Sequence, residues 1–420
     1  MKKVLIITYY WPPSGGAGVQ RWLKMSRYLP GFGISPVILT VHPDYATYPA
    51  TDTSLLNEIP EGLEIHRTRA ADYFRLLGRD KSGIPSAGFA NEGSKGLLSL
   101  LARFVRGNLF IPDPRRGWNR FAFSKACRLI VENEITSFVT TGPPHSTHLI
   151  GLKLKRKFPS IRWTADLRDP WVDIFYNREF WPTALARLID SRYESSVLES
   201  ADNILAVGNE LINLYSLKYP RIAEKFRLLR NGYDPSDFEG CKSSDPDIFT
   251  ISYVGTISDA YKTDGLIMAL KSLSSAGIRH ILRFTGFISG NQRKKMESNL
   301  PGTIFEYTDY LSHREAISEM LRSSVLLLLV PYHKSSKLII TGKLFEYIAT
   351  PKPILVVGPA DGEAASIISE LPNCKAAEYE DDKTITSFLI KAAKGELPAR
   401  QYLAGNFTRE EGAKTLSEII

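Results

Sequence analysis

The chain has 420 residues, 43% of them hydrophobic and 23% charged, with 25 Pro and 30 Gly. At roughly 100 to 200 residues per domain this predicts two cores, and it excludes disordered, collagen-like and low-complexity chains. The net charge is +8, and three cysteines, Cys127, Cys241 and Cys374, stand far apart, so no disulfide framework or cysteine-based zinc cluster is implied and a reducing cytoplasm suits the chain.

Residues 3–8 form a continuous apolar run, as buried parallel strands require. The run is too short for a leader and meets Trp11-Pro12-Pro13. Val19, Trp22, Leu23, Ser26 and Leu29 carry helical spacing, and residues 36–41 read as the next strand, giving a βαβ unit with glycines after its first strand. The stretch 95–128 then sets eight Lys and Arg, from Lys95 to Arg128, against Asp113 alone, which accounts for most of the net charge. Its basic residues, including Arg103, Arg106, Arg115 and Arg116, alternate with Leu97, Leu98, Leu100, Leu101, Phe104 and Leu109. Two readings stand: an amphipathic helix on the core with a solvated basic face, or a peripheral face for an anionic bilayer. No zinc-finger or RNP-type sequence accompanies the patch, so nucleic acid is not an expected partner. Alternation resumes with strands at 137–141, 162–167 and 203–207 and helices at 148–157 and 183–199.

Turn chemistry from Asn231-Gly232-Tyr233-Asp234-Pro235 to Asp245-Pro246 predicts a linker over 236–247. A second series follows, with strands at 249–254, 281–285, 303–307, 325–330, 353–357 and 375–378 and helices at 264–275, 292–300, 314–321, 343–349, 362–370 and 384–393. The predicted class is α/β: two Rossmann-like, doubly wound parallel-sheet domains, 1–235 and 248–405, with a terminal helix in 406–420. The run at 325–330 is far below the roughly 20 residues that cross a bilayer.

Two glycine loops carry chemistry. Gly15-Gly16-Ala17-Gly18 lies between the first strand and helix, where backbone N–H groups can approach an anion. The dinucleotide fingerprint G-x-G-x-x-G is absent, and Leu39-Thr40-Val41-His42 supplies no acid for an NAD ribose, which disfavours a dehydrogenase. The plainer reading is a tight loop for helix–strand packing. In the second half, Thr341-Gly342-Lys343-Leu344-Phe345-Glu346 opens a helix whose first N–H groups and Lys343 can hold a diphosphate, while Glu346 one turn later can accept from a ribose diol. This is not a P-loop, since Lys337 stands where its first Gly belongs and Leu344 replaces the magnesium-binding Ser/Thr. The alternative is a capped helix with Glu346 solvated.

Taken in order, Pro12-Pro13-Ser14-Gly15-Gly16, Thr141-Gly142-Pro143-Pro144-His145-Ser146, Asp166-Leu167-Arg168-Asp169-Pro170-Trp171, Asn231-Gly232-Tyr233-Asp234, Tyr253-Val254-Gly255-Thr256 and Gly342-Lys343-Leu344-Phe345-Glu346-Tyr347 resemble the retaining glycosyltransferases of family 4, which have the GT-B fold, over essentially the whole chain. The resemblance implies two Rossmann-like domains facing a cleft, the last helix returning to the first domain, and cytoplasmic transfer of sugar from a UDP- or GDP-sugar to a glycan or lipid-linked acceptor in bacterial surface polysaccharide synthesis. It implies donor contacts at Gly15, Gly16, Gly255, Thr256, Thr341, Gly342, Leu344 and Glu346, and His145 near the donor sugar. No metal or other cofactor is expected, and Asp245-Pro246-Asp247 lies in the predicted linker, a poor place for a metal–diphosphate clamp. Two departures stand out: Leu338 occupies the place of the first of two family glutamates, and Thr256 that of an arginine, while Lys262 matches a family lysine.

Developing charge on a departing diphosphate calls for cations, and Lys262 and Lys343 are the candidates, with Lys337 or Lys334 as reinforcement. Asp169, at a strand end, either orients the acceptor hydroxyl or pairs with Arg168. Arg103, Arg106, Arg115 and Arg116 are the candidate acceptor or membrane contacts. Competing readings are an epimerase of the same fold and a nucleotide-sugar-binding partner without catalysis.

Overall fold

The computed structural model describes residues 1–71, 97–174, 177, 180–369, 371–400 and 407–420. Lys95 and the end of the helix predicted over 362–370 therefore lie outside the described residues. The chain divides into two units, Met1–Asn231 with Arg409–Ile420, and Gly232–Thr408.

The first unit contains β1 (Lys2–Ile7), α1 (Ala17–Tyr28), β2 (Ile34–Val41), β3 (Glu64–Thr68), α2 (Leu97–Leu109), α3 (Asn119–Glu132), β4 (Ser137–Gly142), α4 (Ser146–Lys157), β5 (Arg162–Leu167), α5 (Ala184–Ser200), β6 (Asn203–Ala206), α6 (Asn209–Lys218) and β7 (Phe226–Leu228). The strands form one parallel sheet in the order β3-β2-β1-β4-β5-β6-β7. Val4 to Ile7 and Val37 to Leu39 are buried because helices cover both faces of a parallel sheet, which is why these strands read as apolar runs. β3 went unpredicted: it is a half-buried edge strand whose Glu64, His66 and Arg67 break any apolar run.

The second unit contains β8 (Phe249–Val254), α7 (Asp264–Ser275), β9 (His280–Thr285), α8 (Gly290–Asn299), β10 (Ile304–Thr308), α9 (His313–Leu321), β11 (Val325–Leu329), α10 (Gly342–Ala349), β12 (Ile354–Val357), α11 (Glu363–Ile368), β13 (Cys374–Ala377) and α12 (Asp382–Ala393). Its parallel sheet runs β10-β9-β8-β11-β12-β13, the same doubly wound order. Residues 236–247, predicted as a linker, belong to this unit, as do residues 232–235, predicted in the first domain. Tyr233 is buried in the cluster that holds Phe345 and Ile348, Asp237 meets His313, and Lys352 bonds Asp245 at 2.7 Å.

The last helix, α13 (Arg409–Ile419), packs in the first unit. Ala413, Leu416 and Ile420 join Val19, Trp22 and Met25 of α1 in one apolar cluster, and Lys2 Nζ donates to the Ile420 carbonyl at 2.9 Å.

Candidate functional site

Ligands of open parallel sheets collect beyond the carboxyl ends of the strands, where strand order reverses. In the second unit that point lies between β8 and β11. Gly255 follows β8 with φ 130° and Gly286 follows β9 with φ 108°. A Cβ on Gly286 would stand 2.5 Å from the Gly255 carbonyl oxygen, and one on Gly255 2.4 Å from Lys343 Nζ, so both glycines make room for their neighbours. Lys343 donates to Tyr253 Oη at 2.8 Å and rests 4.1 Å from the centre of that ring, while Tyr253 Oη donates to the Thr256 carbonyl at 2.8 Å. Burial pushes the Lys343 ammonium down to about 7, with Glu346 pulling the other way. Among the described residues no carboxylate forms an ion pair with it.

The start of α10 is open. Thr341 holds the N-cap position without a capping bond, and its buried Oγ1 has no hydrogen-bond partner. Leu344 N–H bonds the Thr341 carbonyl at 3.1 Å, whereas the N–H groups of Gly342 and Lys343 have no backbone partner among the described residues. Two N–H donors, an open hydroxyl and the positive end of a helix thus coincide with an ammonium held only by a phenol, an arrangement suited to a diphosphate. Glu346 follows one turn later, with His313 Nδ1 3.9 Å from its Oε1 and His313 Nε2 3.2 Å from Asp237 Oδ2. Sequence reasoning missed His313 and Asp237, because their approach to Glu346 joins three segments distant in the chain.

Other expected contacts fall differently. Leu344 buries its side chain in the apolar cluster with Phe345 and Tyr347 and commits its N–H to Thr341, so it is a core residue. Lys262 lies 3.7 Å above the Tyr332 ring and pairs with Glu380 at 3.2 Å, and Lys337 pairs with Asp361, both at the surface.

In the first unit the equivalent point lies between β1 and β4. Gly15 N–H bonds the Ala50 carbonyl at 2.9 Å, so this glycine closes its own loop, while Gly16, at φ 88°, begins α1 without a side-chain cap. Arg168 fixes the surroundings: Nε donates to the Gly142 carbonyl at 3.1 Å, Nη1 to Gly18 at 2.7 Å and Nη2 to Pro143 at 2.7 Å. It is therefore a loop clamp rather than the hydrogen-bonded partner of Asp169. The Asp169 carboxyl is pushed up by burial against the pull of Arg168, and no donor among the described residues is seated on it. Behind these loops Arg21 and Asp166 form a fully buried pair at 2.9 Å, and Asp166 also accepts from Trp22 Nε1 and Thr141 Oγ1.

His145 lies in the wall of a cavity of about 600 Å³ built within this unit. Its ring stacks on Trp171 at 4.9 Å and 12°, and both ring nitrogens are buried without a hydrogen-bond partner of good geometry. Burial first, then His148 and Arg168, hold it well below the usual histidine range, with the Pro170 backbone opposing. His148 lies deeper: its Nδ1 meets Thr140 Oγ1 at 2.8 Å, and burial, helped by Arg168, pushes it down to about 3. Trp163 Nε1 donates to the same Thr140 oxygen at 2.9 Å.

Two acids stand one turn apart on α5, and one of them, Asp190, lines the same cavity. Glu194 is fully buried and accepts from Val172 N–H at 3.0 Å, Tyr215 Oη at 3.3 Å and Tyr219 Oη at 2.8 Å. Asp190 Oδ1 accepts from Trp171 Nε1 at 2.7 Å, and burial pushes this carboxyl up to about 6 while the Trp171 bond opposes. Neither acid belongs to a motif, and sequence reasoning missed both; their i, i+4 spacing on a helix is the one signal that could have found them.

The four arginines expected on one outer face separate. Arg115 is buried, with Nη2 donating to the Thr47 carbonyl at 3.3 Å, and Arg106 stacks 4.0 Å over the Phe180 ring in the cavity wall. Arg116 is exposed and donates to the Ile111 carbonyl, and Arg103 is half-buried. α2 instead exposes apolar side chains, Leu100, Leu101, Phe104 and Leu109. Among the described residues no helix is long and apolar enough to cross a membrane.

No protein-family model matches the chain. No curated protein matches it either. Solved structures do. A glycosyltransferase from Rickettsia africae aligns over 100% of this chain and 97% of its own at 13% identity and TM-score 0.59. The lipopolysaccharide outer core galactosyltransferase WaaB aligns over 100% and 99% at 12% identity and TM-score 0.59. Anabaena HepE, solved with UDP and glucose, aligns over 100% and 95% at 12% identity and TM-score 0.56. With its two parallel sheets of seven and six strands, the chain has the fold of the GT-B glycosyltransferases.

Proposed function

We propose that the chain is a retaining glycosyltransferase of the family 4 type, an EC 2.4 enzyme that moves a sugar from a UDP- or GDP-sugar to a glycan or lipid-linked acceptor in surface polysaccharide synthesis on the cytoplasmic side of a membrane. The observation that carries the reading is the open start of α10, with Lys343 held beside Gly255 by a phenol alone and Glu346 one turn on. Two solved neighbours of this fold are named as glycosyltransferases, and a third was solved with UDP and glucose.

In this reading the N–H groups of Gly342 and Lys343, the Thr341 hydroxyl and the Lys343 ammonium receive the diphosphate, and Glu346 accepts from the ribose. As the sugar–phosphate bond breaks, negative charge grows on the leaving oxygen, and oriented N–H groups and an ammonium in a partly enclosed site stabilise it more than water would. No metal is required for that step. The first unit takes the acceptor in the cavity that His145 and Trp171 line. Exposed Leu100, Leu101, Phe104 and Leu109 with Arg103 support contact of α2 with an anionic membrane surface.

The test is nucleotide release from a panel of UDP- and GDP-sugars, together with UDP affinity. Glu346→Ala and Lys343→Ala should each weaken UDP about tenfold or more while remaining folded. Nucleotide binding without release on any acceptor would favour a binding protein without catalysis, a role that Leu338 and Thr256 would suit. Isomerised sugar without acceptor would favour an epimerase.

A further inference from the structure

The cavity of the first unit holds one carboxylate that is only half used. Glu194 has both oxygens engaged, by Val172 N–H and Tyr215 on Oε2 and by Lys218 and Tyr219 on Oε1. Asp190, one turn earlier on α5, spends Oδ1 on Trp171 Nε1, and no donor among the described residues is seated on Oδ2. Both Asp190 and His145 line the cavity, the His145 imidazole with its two nitrogens turned out of contact with solvent. The Trp171 indole joins the two, bonded to Asp190 at its N–H and stacked on His145 at its ring. With Arg106, Arg115 and Arg187 balanced by Asp113, Asp173 and Asp190 in the lining, and aromatic surface from Phe180 and Trp181, the cavity matches a neutral polyhydroxylated ligand: hydroxyls donate to the half-used acid, and the C–H faces of a pyranose cover aromatic carbons.

We infer that Asp190 binds a sugar hydroxyl of the acceptor through Oδ2, so that the acceptor's terminal residue is a hexopyranose seated between Asp190 and His145. This rests on the reading that the first unit takes the acceptor, and it adds the residue that recognises it. Asp190 acts on the ligand directly, whereas Glu194 is spent on Val172 N–H, Tyr215, Lys218 and Tyr219.

The experiment is isothermal titration of the full chain with a panel of hexyl α- and β-hexopyranosides, with hexanol as control and UDP titrated separately. Asp190→Asn is the informative variant: its carbonyl still accepts from Trp171, but the second position becomes a donor and can no longer receive a hydroxyl hydrogen. At least one glycoside should bind the wild type and bind Asp190→Asn about tenfold or more weakly, since a hydrogen bond to a charged group is lost. Near-UV circular dichroism, Tm and UDP affinity should stay unchanged, and Asp190→Glu should recover part of the loss. Absence of glycoside binding to the wild type, equal binding by Asp190→Asn, or a loss accompanied by an altered near-UV spectrum would each overturn the inference. Should UDP fail to bind while glycoside binding still depends on Asp190, the donor reading falls and this one stands.

Discussion

The Lys343 ammonium provides a sharp prediction, because its charge in the ligand-free protein is set by burial and not by an acid. Burial holds it near 7, Glu346 opposing. A diphosphate at the start of α10 favours the charged form, so binding draws a proton whenever the lysine is neutral beforehand. The sign follows: below about pH 7 the lysine is already protonated and UDP affinity is level, while above it affinity falls by up to tenfold per pH unit. At about pH 8.5 the apparent Kd should be roughly 30-fold weaker than its low-pH limit, about 2 kcal/mol. Calorimetry in two buffers of different ionisation enthalpy should count close to one proton taken up per UDP at about pH 8.5. Lys343→Met should bind more weakly throughout, with no uptake and a flat profile over the same range. If wild type and Lys343→Met share the same slope and proton count, Lys343 does not meet the phosphates and the reasoning is wrong.

Three further outcomes follow. Arg21→Met leaves Asp166 charged and buried without its partner, so urea unfolding should show a loss of about 3–5 kcal/mol. The folded protein holds His148 at about 3, so below the ordinary histidine value the unfolded chain takes up a proton that the folded one refuses. Stability should therefore fall as pH drops from 7 to 5, by about 2 kcal/mol from this residue, and a fold-retaining His148→Asn should show a shallower decline in denaturant midpoint. If α2 meets a bilayer, Leu101→Ser with Phe104→Ser should reduce co-sedimentation with vesicles containing anionic lipid, while neutral vesicles bind neither protein; equal binding of both proteins to anionic vesicles would refute the contact.

Much of the fold was legible because both sheets are parallel and covered on both faces. Central strands such as β1 and β11 carry unbroken apolar runs, and covering helices such as α1 and α7 repeat at helical spacing. The edge strand β3 and the three-residue β7 lack that signal. The turn-rich stretch before β8 read as a linker because turn residues mark loops, not where loops pack; Tyr233 and Asp237 tie it to the second unit.

The site was legible where its chemistry is local. Gly342, Lys343 and Glu346 are set by one helix, so their spacing alone places a cation at its start and an acid one turn on. Where partners come from afar the sequence held no signal for them: Lys262 pairs with Glu380, Arg168 spends its guanidinium on three carbonyls, and Arg115 turns inward to Thr47. Asp190 escaped notice for the same reason, since its meaning depends on Trp171 and on a cavity that no motif announces.

The central claim is that α10 grips a nucleoside diphosphate, and a crystal structure of the protein with UDP tests it most directly. The account predicts phosphate oxygens within hydrogen-bond reach of the Gly342 and Lys343 N–H groups and Lys343 Nζ, with the ribose hydroxyls on Glu346. UDP bound at another place, with Lys343 still on Tyr253 and Glu346 facing solvent, would contradict it.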